Sequence, residues 1–514
     1  MSAALARRLL LAAFGLGVAA DWLLRPEPGP LGFAAWALLA FAVAWALPRT
    51  PTAPPGPDAA SPFADASHRR ERAGLIGAAA VIVSLLALRD APMLVAANLL
   101  ALVVGLLLVA WRSGGRALVS LEPRDALLGG ASALAAVVMG GPLLATRDAR
   151  VGTLPLPRRR AAAGFGLGAL AAAPVLLVVT LLLASADPLF AQLVEDTGSL
   201  LDGVLMGHLL FVGAATWISA GALHGSIVRV GVRAPAVPGE LRLPFASALP
   251  VLGGLVLLLG SWMALQLRAL FGGAAYLAQT AGLTVAAYAR SGFFELVVIA
   301  GIVLAVLLVA DDVLERDAGP SRRRFRQVGQ LLLALVAAVL ASAVFRLGLY
   351  IEYHGLSADR LLALAILVWV AAVLAWFGMT VLRGVRTRFA PGVLVVSAVW
   401  LGLLNLASPE RLVVAVNVAR AERGRSFDVA YHARLSADAV PSLLASSDRL
   451  PAAQGEALRA ELRAAWRDRI DDRGNWRQWT VAYRRAARQL ALPSLALQPE
   501  TAVSDLSRRG PAAP

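Results

Sequence analysis

The sequence predicts an all-α fold: a polytopic transmembrane helical bundle of about 11–12 spans with a small helical C-terminal extramembrane tail. Three observations carry this expectation. Apolar runs of 16 to 26 residues recur through the first 407 positions, and about 20 apolar residues let a helix cross a bilayer. Hydrophobic residues make up 58% of the chain, charged residues only 16%, and the mean hydropathy is +0.69, too little charge for a soluble domain of this size. The short alternating segments of a transmembrane β-barrel do not occur.

The first apolar segment, 9–24, follows Arg7 and Arg8 and runs on to Asp21-Trp22 without a small-x-small cleavage site. It therefore reads as a membrane helix and not as a cleaved signal peptide. With 31–47 it forms a hairpin about Pro26-Glu27-Pro28-Gly29-Pro30, an N-terminal unit over 1–47. A linker follows at 48–72, and its Pro-rich part suits an extended loop. The transmembrane domain then occupies 73–407. Its apolar segments lie near 73–88, 91–111, 126–145, 161–184, 201–222, 245–270, 293–310, 327–350, 361–381 and 391–407.

Arginine placement sets the expected topology. If all twelve segments cross, the two sets of loops hold 13 and 18 arginines, tail aside, a poor asymmetry. If 126–145 dips in and returns, the division becomes 25 against 6. Eleven spans is the preferred expectation and twelve the alternative. The N-terminus is then cytoplasmic and the tail extracytoplasmic, in the cell (inner) membrane. In either case loops 223–244, 311–326 and 382–390 are basic, whereas 185–200, 271–292 and 351–360 are not.

The tail is a different material, with 17 arginines against 12 acids over 408–514. Its helical part is expected over 408–500, and 501–514 reads as disordered. Ser408-Pro409-Glu410 has the form of an N-cap, a proline at N1 and an early acid. Residues 436–447, 453–470 and 475–490 also read as helical. The last carries Trp476, Trp479 and Tyr483 beside Arg477, Arg484, Arg485 and Arg488. Such a segment either lies on lipid headgroups or packs on the tail's own core.

Composition excludes several chemistries. There is no cysteine, hence no disulfide, thiolate or Cys-ligated metal. There is no lysine either: all 48 basic residues are arginine, which removes Schiff-base chemistry and a P-loop lysine. The net charge of +15 belongs largely to membrane-flanking loops, so nucleic acid is not an expected partner. His208 and His224 stand 16 residues apart, without a zincin pattern or carboxylate cluster, so neither reads as a metal ligand. No nucleophile elbow is present. The lack of any catalytic motif weighs against an enzyme, and no cofactor is expected. Gly164/Gly168, Gly203/Gly207 and Gly221/Gly225 have the spacing of close helix contacts, which chance supplies readily in a chain with 46 glycines.

The candidate polar site combines two regions distant in sequence. Arg290 and Glu295 stand at the mouth of span 293–310. Arg346 and Tyr350 end the next span, on one stripe with Tyr353, and Glu352, His354, Asp359 and Arg360 follow about Gly355. Ionisable groups at a membrane boundary form an ion-pair cluster that binds a ligand or gates a path, or else they anchor helix ends by snorkelling. Ser357 reads as the N-cap of the helix starting near Asp359.

These residues carry a resemblance. Tyr288-Ala-Arg-Ser-Gly-Phe-Phe-Glu-Leu296, Arg346-Leu-Gly-Leu-Tyr350 and His354-Gly-Leu-Ser-Ala-Asp-Arg360 resemble a family of uncharacterised bacterial multi-spanning membrane proteins, domain of unknown function 4173, a relative of 4153. In the tail, Asn417-Val-Ala-Arg420, Asp428-Val-Ala-Tyr431, Leu435-Ser-Ala-Asp-Ala-Val-Pro441 and Asn475-Trp-Arg-Gln-Trp479 are similar to its C-terminal signature; Ser185-Ala-Asp-Pro-Leu-Phe190 is a weaker match. The likeness covers roughly 161–490, with His432 standing where a leucine is expected. It implies no activity. The expected function is an integral membrane protein, permease-like with the polar site at the extracytoplasmic face. The alternative is an envelope sensor or assembly protein that uses its outer loops and tail. The expected partners are the lipid bilayer and a small polar ligand or an envelope protein.

Overall fold

The computed structural model describes residues 2–25, 29–46, 74, 77–112, 122–123, 126, 130, 136–137, 139–145, 203–227, 244–281, 293–314, 319–472 and 476–490. Within these the fold is all-α. Six helices are long and apolar enough to cross a membrane: Ala3–Leu24, Phe245–Ala264, Leu296–Val313, Pro320–His354, Ala358–Thr380 and Arg386–Ala407. Shorter apolar helices occupy Pro30–Val43, Gly77–Leu88 and Pro92–Gly105. The linker 48–72, segment 161–184, Gly164/Gly168, Ser185–Phe190 with its Asp187-Pro188, and the end 501–514 lie outside the described residues, as does part of 126–145.

In chain order the apolar helices are α1 (Ala3–Leu24), α2 (Pro30–Ala46), α3 (Gly77–Leu88), α4 (Pro92–Arg112), α5 (Gly203–Ile227), α6 (Phe245–Ala281), α7 (Phe293–Val313), α8 (Pro320–His354), α9 (Ala358–Thr380) and α10 (Phe389–Ala407). Leu and Val supply most of their length, and small residues set how closely they pack. α1 lies against α5 because Gly17 has no side chain: a Cβ there would meet the Thr216 hydroxyl at 2.1 Å. The contact is antiparallel, since Asp21 near the end of α1 reaches His208 near the start of α5 (Oδ2 to Nδ1, 2.6 Å). The Gly221/Gly225 spacing does serve a close approach: the α5 backbone there faces Val137 and Ala136, while Gly141 faces Trp217.

The largest apolar core joins α6 to α10, centred on Leu252, Val303, Leu332, Val336 and Phe377, all fully or almost fully buried. α7, α8, α9 and α10 alternate in direction. At one end of the bundle, Asp311 of α7 pairs with Arg322 at the start of α8 (2.6 Å) and with Arg386 just before α10 (3.0 Å), and Arg386 also reaches Asp312 (3.0 Å). At the other end, α8 turns into α9 through Gly355-Leu356-Ser357. Ser357 caps α9 as expected, its Oγ accepting from the Arg360 amide at 3.3 Å.

The tail leaves α10 at that second end and folds on itself as α11 (Pro409–Ala421), α12 (Val429–Ala433), α13 (Val440–Ser446), α14 (Ala452–Asp472) and α15 (Val481–Gln489). Its core holds Val413, Val414, Val418, Leu443, Leu458, Leu462 and Trp466, and takes in Leu356 and Leu361 from the α8–α9 corner. Ser408 does hold the N-cap position of α11, but in the left-handed region (φ 53, ψ 86) and without a side-chain cap bond. The residue also ends α10, its amide bonding to the Leu404 carbonyl at 3.1 Å. One position thus closes the last span and opens the tail, and chain reversal takes precedence over capping geometry.

Candidate functional site

The described part of the predicted polar cluster lies at the tail end of the bundle, around the C-terminus of α8. A helix ends with carbonyls that lack intrahelical partners and carry partial negative charge. Two guanidinium groups meet them. Arg420 of α11 donates through Nη1 to the carbonyls of Ile351 (2.5 Å) and Glu352, and through Nη2 to that of Tyr353 (3.4 Å). Arg360 of α9 donates through Nη1 to the carbonyls of His354 (3.2 Å) and Gly355. Its guanidinium also lies 4.3 Å from the centre of the Tyr350 ring, which in turn packs on His354 at 4.6 Å. Burial, then the Arg425 charge, lowers the Arg420 pKa; Glu352 raises it.

Each expected site residue can now be placed. Tyr350, His354 and Arg360 come together as one stack. Glu352 and Asp359 are exposed at its edge, as is Tyr353, and Arg346 is buried one turn below in α8. Glu295 lies in the first turn of α7, whose start is at the same end; Arg290 lies outside the described residues.

The tail grips the α8–α9 corner through residues absent from that candidate set. Asn417 exchanges two hydrogen bonds with Leu356, its Oδ1 accepting from the amide (2.8 Å) and its Nδ2 donating to the carbonyl (2.7 Å). Gly355 lets this happen: it sits at φ 79, and a Cβ would come within 2.7 Å of the Asn417 oxygen. Tyr431 accepts from the Ala358 amide at 2.9 Å, taking up one of the free donors of α9; burial raises its phenol pKa. His432 completes the set. Its Nδ1 faces the Asp428 carbonyl (2.6 Å) and its Nε2 faces the Asn417 amide (3.0 Å), so the neutral Nδ1–H tautomer satisfies both contacts. Burial pushes its pKa down, against the Asp428 carbonyl bond and charge. Phe427 stacks on the same ring at 4.1 Å.

A second grip joins the tail to the α3–α4 loop. Asp438 accepts from the amides of Asp90 (2.7 Å) and Ala91 (2.9 Å) at the start of α4 and pairs with Arg89 (3.1 Å). Asp90 accepts in return from the Ala437 amide at 3.1 Å. Arg89 also donates to the Asn405 carbonyl, and Asn405 exchanges amide bonds with Asn98 (3.2 and 3.0 Å), tying α10 to α4. Glu410 is buried beside this junction and accepts from the Ser436 amide (3.0 Å) and hydroxyl. Burial raises its pKa to about 7, helped by the Asp438 and Asp90 charges and opposed by the Ser436 bonds.

The sequence did hold a signal for these residues. Asn417, Arg420, Asp428, Tyr431, Ser436 and Asp438 all fall within the tail motifs that carried the family resemblance. His432, the departure from it, is wired into the same network. Other residues singled out in the sequence can also be placed. His208 bonds Asp21. The apolar face of α15 packs on the tail core through Tyr483, Ala486 and Ala487. Trp476 is instead exposed, with its ring 6.0 Å from that of Trp22.

No curated protein and no solved structure matches the chain. The family that does match covers residues 76–446 and is the second of the two relatives named above. The match includes 76–160, where no motif stood out, and stops short of Asn475–Trp479. With most of its length inside that match, the chain belongs to the family described as Domain of unknown function (DUF4153).

Proposed function

We propose that this multi-pass membrane protein is a non-transport envelope protein of a bacterial inner membrane, whose docked tail is its sensing or partner-binding part. The observation that carries this is the double grip of the tail on two membrane loops, through Asn417, Arg420 and Tyr431 on one side and Asp438 on the other. Arg360 and Arg420 are committed to the end of α8, which supports an anchoring role for them and not a role in lining a polar path. Arginine placement supports the orientation. Arg322, Arg323, Arg324, Arg383, Arg386 and Arg388 lie at the end opposite the tail, which supports a cytoplasmic placement of that end and an extracytoplasmic one of the tail.

The test compares proteins crosslinked to the wild-type chain, to a chain lacking 408–514 and to Asp438→Ala, all in intact cells at matched membrane abundance. The proposal expects the same adducts to be lost from both variants. Adducts that persist in both overturn it.

A permease-like role is the second reading, favoured by polar groups inside the spans: Arg346 in α8 and the Asn98–Asn405 pair between α4 and α10. Glu295→Gln tests it. Loss of flux at unchanged abundance supports transport, whereas a collapse in abundance makes Glu295 structural.

A further inference from the structure

We propose that the segment 476–490 and the end of α1 form a binding site for anionic phospholipid headgroups at the tail-side membrane surface. The lipid-facing stripe of α1 is visible as exposed apolar residues three to four positions apart: Leu11 (71%), Phe14 (55%), Val18 (45%) and Trp22 (62%). The tail prolongs this stripe. The Trp476 ring lies next to Trp22, and the Arg477 guanidinium sits 5.2 Å from the Trp22 ring centre and 5.4 Å from that of Trp476. Arg477 Nε donates to the Trp22 carbonyl at 2.8 Å, fixing it at the height where the span ends. Paired indoles at that level are the usual mark of the headgroup region.

The contact is close. Gly29 and Gly32 let the α1–α2 turn touch residues 477 and 478, and a Cβ on Gly29 would meet the Arg477 carbonyl oxygen at 2.2 Å. From there α15 rises with Tyr483, Ala486, Ala487 and Leu490 turned into the tail core. Its outer face therefore presents Val481, Arg484, Arg485 and Arg488, all exposed. Between 476 and 490 the sequence has four arginines and no acid. Guanidinium groups favour phosphate through paired N–H donors, and Val481 and Trp476 supply an apolar footing beside them. The occupant that fits both the charge and the position is a lipid phosphate with a negative headgroup. Contact here comes from a basic outer face with an aromatic anchor, because the apolar face of α15 is already covered by the tail.

Full-length protein in vesicles of phosphatidylcholine with a minor fraction of photoactivatable phosphatidylglycerol, or of photoactivatable phosphatidylcholine, tests this. Labelled peptides are mapped with and without excess inorganic phosphate. The proposal expects the 476–490 peptide to label several-fold more with the anionic probe, at about fivefold per contributing arginine, with phosphate failing to compete. Arg484→Gln/Arg488→Gln keeps the Trp22 contact of Arg477 and should cut the preference by about fivefold for each arginine removed without releasing the tail, as read by protease resistance at 408–472. Equal labelling by the two probes, a preference unchanged in the double variant, or full competition by phosphate (a free-phosphate site) would each overturn it.

Discussion

Asp90 and Asp438 cap each other's loops: Asp438 accepts from the Asp90 amide at 2.7 Å, and Asp90 accepts from the Ala437 amide next door at 3.1 Å. The two residues are 348 positions apart in sequence, so the tail closes over a loop made near the start of the transmembrane domain.

Asp438→Ala removes the carboxylate that accepts from two amides and leaves Arg89 without its ion-pair partner. The tail is expected to lose about 3 kcal/mol of docking stability, the cost of breaking a buried, hydrogen-bonded ion pair. Thermal unfolding followed by proteolysis at 408–472 reads this directly. Asp438→Asn, which keeps an acceptor, should lose less.

Docking should weaken with rising pH through Glu410. Its pKa is about 7 in the folded tail against about 4.5 free, so the folded state holds the proton more tightly. The stability this confers is complete below the free value and is lost as pH rises through about 7. Hydrogen exchange at 410–440 from pH 5 to 8 should show the slope, and Glu410→Gln should flatten it.

His432 acts in the opposite sense. Its folded pKa is depressed by burial, so its contribution is present above the ordinary imidazole value and is lost as pH falls through the folded one. Protonation would set a donor against the Asn417 amide. His432→Leu should remove this acid limb while leaving the Glu410 limb intact. An unchanged acid limb in the variant would refute the assignment.

Arg360 and Arg420 share the end of α8. Each replaced alone by Gln should cost about 1.5–3 kcal/mol, the range for a charged hydrogen bond. Because they serve adjacent carbonyls, the double variant should cost more than the sum of the single changes. A strictly additive double-mutant cycle in thermal unfolding would show that the two act independently.

Ser408 carries left-handed backbone geometry, and its buried hydroxyl lacks a protein partner among the described residues. Ser408→Gly should raise the midpoint of thermal unfolding, relieving about 1 kcal/mol of strain. Ser408→Val should lower it.

The spans were legible because apolar length alone specifies a membrane helix, and the start of α9 because Ser357 caps it locally. The docking was not. Arg420 and Asn417 bond to backbone atoms of residues 351–356, and nothing in a side-chain pattern marks a distant carbonyl as a partner. Arg360 and Arg420 take carbonyls at the end of α8 as partners, which charge spacing in the sequence does not announce. Ser408 had the right residue type for a cap, but the reversal from α10 into α11 set its backbone.

The Asp90–Asp438 clasp also constrains parity. Two residues that touch at one membrane surface must be separated by an even number of crossings, and the Asp21–His208 contact imposes the same condition between 25 and 203. From α5 to α10 the six helices return the chain to the end where it began. The eleven crossings expected from arginine placement, with 126–145 turning back, meet both conditions, whereas twelve crossings would set Asp90 and Asp438 on different sides of the bilayer. Reporter fusions after residues 118 and 425 should answer from opposite faces. A third, after 152, should agree with 118.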